Sequence, residues 1–243
     1  MKTAIMQPYF FPYIGYWQLI HASDVFLILD DVHYIKRGWI SRNRILCDGE
    51  EQFIINPVSH ASQNALIQEL EFINNPVQIS DMEKTIAYAY RDAPCLPQMM
   101  ELVHSVLWNP QNNIADYLEF QIRQVCRFLG IDTKILRSSQ YRDSRHPAAE
   151  AGIIALSKTF SADEYINPIG GLSLYHKDAF EEAGMELRFL QTDFQALQRM
   201  TGHNYMDFSI VHLIANYPAE QIRAMLDCYD LIEGQYRDQG LLQ

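Results

Sequence analysis

Residues 30–45 read DDVHYIKRGWISRNRI, and they concentrate the groups best suited to chemistry. Lys36, Arg37, Arg42 and Arg44 stand within nine positions, in a chain that has only 19 basic residues and a formal net charge of −11. A guanidinium fork matches the oxygens of a phosphate or carboxylate, Trp39 offers a plane for stacking, and Asn43 offers an amide. Asp30 and Asp31 come just before and could orient a substrate hydroxyl or amine. The plain alternative is a solvated turn whose cations pair with its own aspartates. In so acidic a chain, the balance tips toward an anion site.

Three further stretches carry candidate groups. In MQPYFFPYIGYWQLI, six rings lie between Gln7 and Trp17, broken by Pro8, Pro12 and Gly15. Two prolines rule out a core strand, so these rings read as a loop. Tyr9, Tyr13 and Tyr16 could wall a pocket, while Gln7 and the main-chain N–H groups near Gly15 would offer hydrogen bonds at a helix start. Taken alone, such rings more often just plug the end of a sheet. In INPIGGLSLY, Asn167, Gly170 and Gly171 follow a strand, and paired glycines permit positive φ and bare N–H groups that approach an anion. A Gly-Gly turn is common for geometric reasons alone. His60 in NPVSH and His146 in RDSRHPAAE are candidates for moving a proton; a surface histidine is the default for each.

Other chemistry finds little support. The histidines and cysteines lack metal-ligand spacing, so no metal site is predicted. Neither G-x-G-x-x-G nor G-x-x-x-x-G-K-[ST] occurs, and no cofactor is predicted. A nucleotide-linked or acyl-thioester co-substrate fits the anion site better. Cys47 reads as an ordinary buried cysteine rather than a nucleophile.

The elements that must position these groups alternate. Ala4–Met6 reads as a short buried strand, Gly15 onward as a helix, and Val25–Leu29 as a fully buried strand ending at the two aspartates. Strand, loop, helix, strand is a βαβ unit. Residues 44–47 and 53–56 read as strands turned by Asp48-Gly49, and 65–73 as extended. From about 78 to 130 the pattern is helical, with breaks at Pro94, Pro97 and Pro110 and a stop at Gly130. Thr133–Arg137 then reads as a strand, Pro147 as a helix start, Glu164–Asn167 as a strand, the stretch from Gly170-Gly171 through Phe180 as a helix, and Met185–Leu190 as a strand. Helices at about 209–216 and 219–233 complete the chain. The whole predicts one α/β domain over residues 1–243, with a mostly parallel sheet and helices on both faces. Such sheets bind ligands at the carboxyl ends of their strands, which is where the four stretches fall.

Composition sets the outer bounds. Apolar residues at 48% and charged residues at 20% fit a folded, water-soluble chain. The net charge argues against a nucleic-acid partner, which needs a basic footprint. No run approaches the roughly 20 apolar residues of a membrane span, so no membrane insertion is expected. Four scattered cysteines suggest thiols in a reducing cytosol, which makes the expected location cytoplasmic.

The strings MQPYFFPYIGYWQLIHASDVFLILDDV and HYIKRGWISRNRI resemble the signature of the WbqC-like protein family, and YINPIGGLSLYHKDAFEEAGMELRF resembles its tyrosine–proline–glycine turn with the helix and strand that follow. Similarity is specific at both ends and loose in the helical middle. The C-terminal part departs: His212 stands where an acid is expected after Ser209, and Tyr217 where a glycine is expected. The resemblance implies a bacterial cytosolic protein associated with O-antigen or other surface-polysaccharide biosynthesis. Acyl or aminoacyl transfer to an amino sugar or sugar nucleotide is the role that association suggests, with an acyl carrier or another pathway enzyme as a partner. Two alternatives stand beside it. One is a non-catalytic protein that binds a sugar nucleotide or a pathway enzyme. The other is a metal-dependent nucleotidyltransferase, since the strand, P-x-x-G-Y turn, helix and aspartate-ended strand are similar to nucleotidyltransferase and Rossmann-like folds. The histidine motif those folds carry is replaced here by Tyr13-Ile14-Gly15-Tyr16.

Overall fold

A computed structural model describes residues 1–141, 150–203 and 207–236. The chain opens with β1 (Lys2–Met6), α1 (Ile14–His21) and β2 (Val25–Ile28). A hairpin of β3 (Arg42–Cys47) and β4 (Glu50–Ile55) follows, then the two-residue strands β5 (Val58–Ser59) and β6 (Glu71–Phe72). Helices α2 (Pro76–Ala89), α3 (Leu96–Leu107) and α4 (Ile114–Leu129) lead to β7 (Lys134–Arg137). The remainder is α5 (Glu150–Thr159), β8 (Glu164–Pro168), α6 (Lys177–Glu182), β9 (Glu186–Thr192), α7 (Phe194–Thr201), α8 (Ile210–Asn216), α9 (Ala219–Met225) and β10 (Tyr229–Glu233).

Six strands form one sheet in the order β10-β9-β8-β1-β2-β7, all parallel except β10. This is the mixed α/β architecture expected from the alternating pattern. All four residues of β2 are buried, because a central parallel strand is covered on both faces. Phe26 and Ile28 join Ala4 in a core shared with α1 and α4, whereas Val25 and Leu27 join Ile5 on the opposite face against α5 and α6. Among the described residues, no helix is long and apolar enough to cross a membrane.

Local signals set many boundaries. The Asn113 side chain accepts hydrogen bonds from the N–H groups of Ala115 and Asp116 to start α4, and Gly130 ends it at φ 67°. The Asp48-Gly49 turn joins β3 to β4, with both residues at positive φ.

Four expectations are corrected, one of them the helix expected from Gly170-Gly171 through Phe180: only a 3-10 turn occurs at Ile169–Gly171, and α6 begins at Lys177. The helix expected over 219–233 stops at Met225, and residues 229–233 pair antiparallel with β9 as the edge strand β10. Half-buried Tyr229 and Leu231 alternate with exposed Asp230 and Ile232, a strand period that only the free edge of β9 rewards. Helix α7 stands where no element is expected; Asp193 caps it through the Ala196 N–H at 2.9 Å and Gly202 ends it in the left-handed region. Residues 65–73 are only partly extended: a 3-10 turn at Ile67–Glu69 precedes β6.

The strand order creates a reversal between β1 and β8, since the chain first builds outward through β2 and β7 and then returns to the other side of β1. A crevice at such a reversal is where open parallel sheets place ligands. The loops after β1 and β8 leave the sheet there, side by side.

Candidate functional site

The aromatic loop after β1 is fixed by almost every carbonyl it owns. Tyr16 Oη donates to the Gln7 carbonyl at 3.0 Å, and Gln121 Nε2 to that of Tyr9 at 2.9 Å. Asn43 Nδ2 donates to the carbonyls of Phe10 and Phe11, each at 2.9 Å, and Trp17 Nε1 to that of Pro12 at 3.0 Å. Phe11 sits at φ 40°, an unusual value for a phenylalanine, and its N–H donates to Gln121 Oε1 at 3.0 Å. Phe10, Phe11, Tyr16 and Trp17 are core rings, while Tyr9 and Tyr13 remain partly exposed. Gly15 leaves room for the Tyr13 ring; a Cβ there would lie 2.5 Å from Tyr13 Cζ. Burial raises the pKa of Tyr9, with Tyr13 adding to it, and burial also raises that of Tyr13 against a smaller opposing effect of Thr192. Burial holds Tyr16 well above the ordinary phenol value. All three are neutral phenols, able to donate a hydrogen bond but poor as bases.

The second loop reaches this one through the main chain. The Phe10 N–H donates to the Trp39 carbonyl at 2.8 Å, and the Ser209 N–H to that of Arg44 at 2.9 Å. Asn43 is therefore a buried tie between β3 and the aromatic loop. Arg42 and Arg44 point to the opposite side of the hairpin, where they lie across from Ile55 and Phe53.

The four cations divide into two groups. Lys36, Arg37 and Arg42 line a pocket of about 380 Å³ together with Tyr34, Ser41, Ile55, Asn56, Pro57, Val58 and Ala61. None of the three has an acidic partner among the described residues. The Arg42 guanidinium lies 4.6 Å from the Phe53 ring centroid, and its Nε is buried without a hydrogen bond. Arg44 is different. It bonds Glu51 at 2.9 Å and Asp207 at 2.8 Å, and it lies 5.5 Å from the Trp39 ring. Arg44 thus holds Trp39 and Asp207 in place, and neither Arg44 nor Trp39 lines the pocket.

The remaining candidates are placed as follows. Asp30 is fully buried at the carboxyl end of β2. It accepts from the Ser139 N–H at 3.0 Å and the Ser139 hydroxyl at 2.8 Å, and its own N–H donates to Ser138 Oγ at 3.2 Å. Ser138 Oγ lies 3.1 Å from Asp30 Oδ1 and 2.5 Å from Asp31 Oδ1. Arg137 comes within 3.9 Å of Asp30, but its shorter bonds go to Glu119 and Asp116. These contacts clamp β2 to the segment after β7. Among the described residues, no cluster of three metal-ligating side chains occurs.

Asn167 is buried and accepts from Tyr165 Oη at 3.0 Å. Neither Gly170 nor Gly171 adopts the positive φ expected of the pair. Gly171 is needed for a close approach instead, because a Cβ would meet Asn167 Nδ2 at 2.0 Å; Gly170 faces open space. His60 is exposed at φ 46°, between the pocket residues Val58 and Ala61. His146 lies outside the described residues.

The pocket therefore gathers Lys36, Arg37 and Arg42 but none of Gln7, Tyr9, Tyr13, Gly15, Tyr16, Asn167, Gly170 or Gly171, which lie toward the β1–β8 reversal. Asn56, Ser41 and Tyr34 were not foreseen. Only the "NP" after a strand hinted at Asn56, and that pattern marks many turns.

A family model of the WbqC-like protein family matches residues 7–224, which spans the aromatic loop, the basic segment, the sheet strands β2, β7, β8 and β9, and α8. The chain belongs to the WbqC-like family. One relative is "Uncharacterized protein Rv1507c" of Mycobacterium tuberculosis (strain ATCC 25618 / H37Rv), 25% identical over 222 residues, covering 90% of this chain and 95% of that one. No solved structure matches the chain significantly. In this WbqC-like chain His212 is buried beside Tyr90, with ring centroids 5.7 Å apart. Burial, aided by His203, lowers its pKa to about 4, so it is neutral at pH 7.

Proposed function

We propose that this WbqC-like protein is a cytoplasmic group-transfer enzyme that acts on a phosphate-bearing small molecule. The reading assigns acyl or aminoacyl transfer to an amino sugar or sugar nucleotide, in O-antigen or other surface-polysaccharide biosynthesis. One observation carries the substrate class: Lys36, Arg37 and Arg42 edge a single pocket with no carboxylate in its lining. In a chain of net charge −11, three cations without acidic partners among the described residues favour an anion, because an anion offsets their mutual repulsion. An acyl thioester is the donor that the reading requires, and an acyl carrier is its natural bearer.

A non-catalytic binding protein is the second reading, favoured by one feature. The pocket lining holds no histidine or carboxylate to move a proton. The nucleotidyltransferase alternative draws least support, because Asp30 is already engaged by Ser138 and Ser139.

Thermal shift against pyrophosphate, nucleoside diphosphates, sugar nucleotides and coenzyme A thioesters tests the anion site. Stabilisation that Arg42→Ala removes is the expected result, and the same stabilisation in the variant would refute the site. Mass spectrometry of an amino-sugar nucleotide incubated with acyl donors tests transfer. No product across a broad donor panel selects the binding protein; product that disappears on adding a chelator selects nucleotidyl transfer.

A further inference from the structure

The pocket has a feature that charge does not explain. Asn56 is 3% exposed, yet its side chain lines the pocket and makes no hydrogen bond to any described residue. Its main chain is fixed, since the Asn56 N–H donates to the Ser41 carbonyl at 2.8 Å. Beside it, the hydroxyls of Tyr34 and Ser41 lie 2.9 Å apart, both residues buried. Amides in largely buried positions are nearly always hydrogen-bonded within the protein, so one whose polar atoms are open only to a pocket is a group that a ligand can engage. The pocket thus has charge at its exposed rim and neutral hydrogen-bonding groups at its buried base.

We infer that Asn56 reads a neutral donor–acceptor edge on the ligand whose phosphate the cations hold, so that the ligand is a phosphate ester bearing an amide or imide. This deepens the anion-site reading and rests on it. A side-chain amide presents an acceptor and a donor on one edge; an imide returns both from a single edge, and two successive secondary amides return one each. A lone hydroxyl satisfies only part of it, and a fully ionised phosphate has no donor to offer the Asn56 carbonyl oxygen. The Tyr34–Ser41 hydroxyl pair can rotate to meet either a donor or an acceptor next to it. Ile55 and Val58 supply an apolar wall for the linking portion. Two ligands share this chemistry, a pyrimidine nucleotide through its imide and a phosphopantetheine through its amides.

Calorimetric titration of the full chain with pyrophosphate, uridine diphosphate and phosphopantetheine tests the inference and separates the two sources. The expected result is that one of the esters binds the wild type about tenfold more tightly than pyrophosphate, and that Asn56→Ala erases this advantage while pyrophosphate binding stays unchanged. Retained pyrophosphate binding also shows that the variant is folded. Should Asn56→Ala not fold, the near-isosteric Asn56→Asp serves, and it must lose the preference for the ester. A wild type that binds pyrophosphate as tightly as both esters, or a preference that survives the substitution, overturns the role of Asn56 and leaves the anion site standing. Failure of the wild type to bind pyrophosphate at all removes the anion site, and the role of Asn56 falls with it.

Discussion

The Asn43 side-chain amide donates to two consecutive carbonyls, Phe10 and Phe11, at 2.9 Å each, while its Oδ1 accepts from the Arg44 N–H at 2.8 Å. One buried side chain thereby joins the strand that bears Arg42 and Arg44 to the loop that bears Tyr9 and Tyr13. Asn43→Ala leaves two buried carbonyls without their donor, and about 2–4 kcal/mol of stability should be lost. Urea denaturation at neutral pH measures it. A loss below about 0.5 kcal/mol would mean that the loop holds its shape without this tie.

Arg42 and Arg44 should respond in opposite ways. Arg42→Ala removes a cation from the pocket and should weaken pyrophosphate binding about tenfold or more, with little change in melting temperature. Arg44→Ala breaks bonds to Glu51 and Asp207 that are partly exposed, so it should cost on the order of 1 kcal/mol and leave binding largely intact. Parallel thermal-shift and titration series on both variants distinguish the roles. Equal loss of binding in the two would merge the groups again.

The glycine pair also divides. Gly171→Ala drives a methyl into Asn167 Nδ2 and should destabilise by about 1–3 kcal/mol, since Asn167 is itself held by Tyr165. Gly170→Ala meets open space at an ordinary φ and should be neutral or stabilise slightly, by about 0.5 kcal/mol. Chemical denaturation of the two variants is a direct comparison, and a more damaging Gly170→Ala would contradict the geometry.

His212 makes stability depend on pH. Its folded pKa of about 4 lies below the ordinary histidine value, so between the two the unfolded chain binds more protons than the folded one. Stability from this residue is fully present above about pH 6.5, falls as the pH drops through the window, and is gone below about pH 4; the full amount is on the order of 3 kcal/mol. His212→Leu should flatten the difference in urea midpoint between about pH 7 and pH 5. A slope of unchanged size in the variant would assign it to other groups.

Much of the fold was legible because its causes are local. An apolar run stopped by two aspartates made β2, and capping residues such as Asn113 with a glycine stop at Gly130 bounded α4. The segment 229–233 was misread because a free sheet edge, not its own pattern alone, turns it into a strand. The concentration of cations at 36–44 likewise stood in the sequence, as did the unusual ring content of the first loop.

The sequence by itself determined the alternation of strands and helices, the family, and which segments carry charge and rings. Only the tertiary structure decided that Arg42 is available and Arg44 engaged, although the two stand two residues apart on the same side of one strand. Asp207, which takes up Arg44, lies 163 residues away in the chain. The same holds for Asn56, whose amide faces a cavity because β3, β4 and the following turn enclose it. Charge partners and solvent access are set by contacts between distant segments, and those are fixed only when the chain packs.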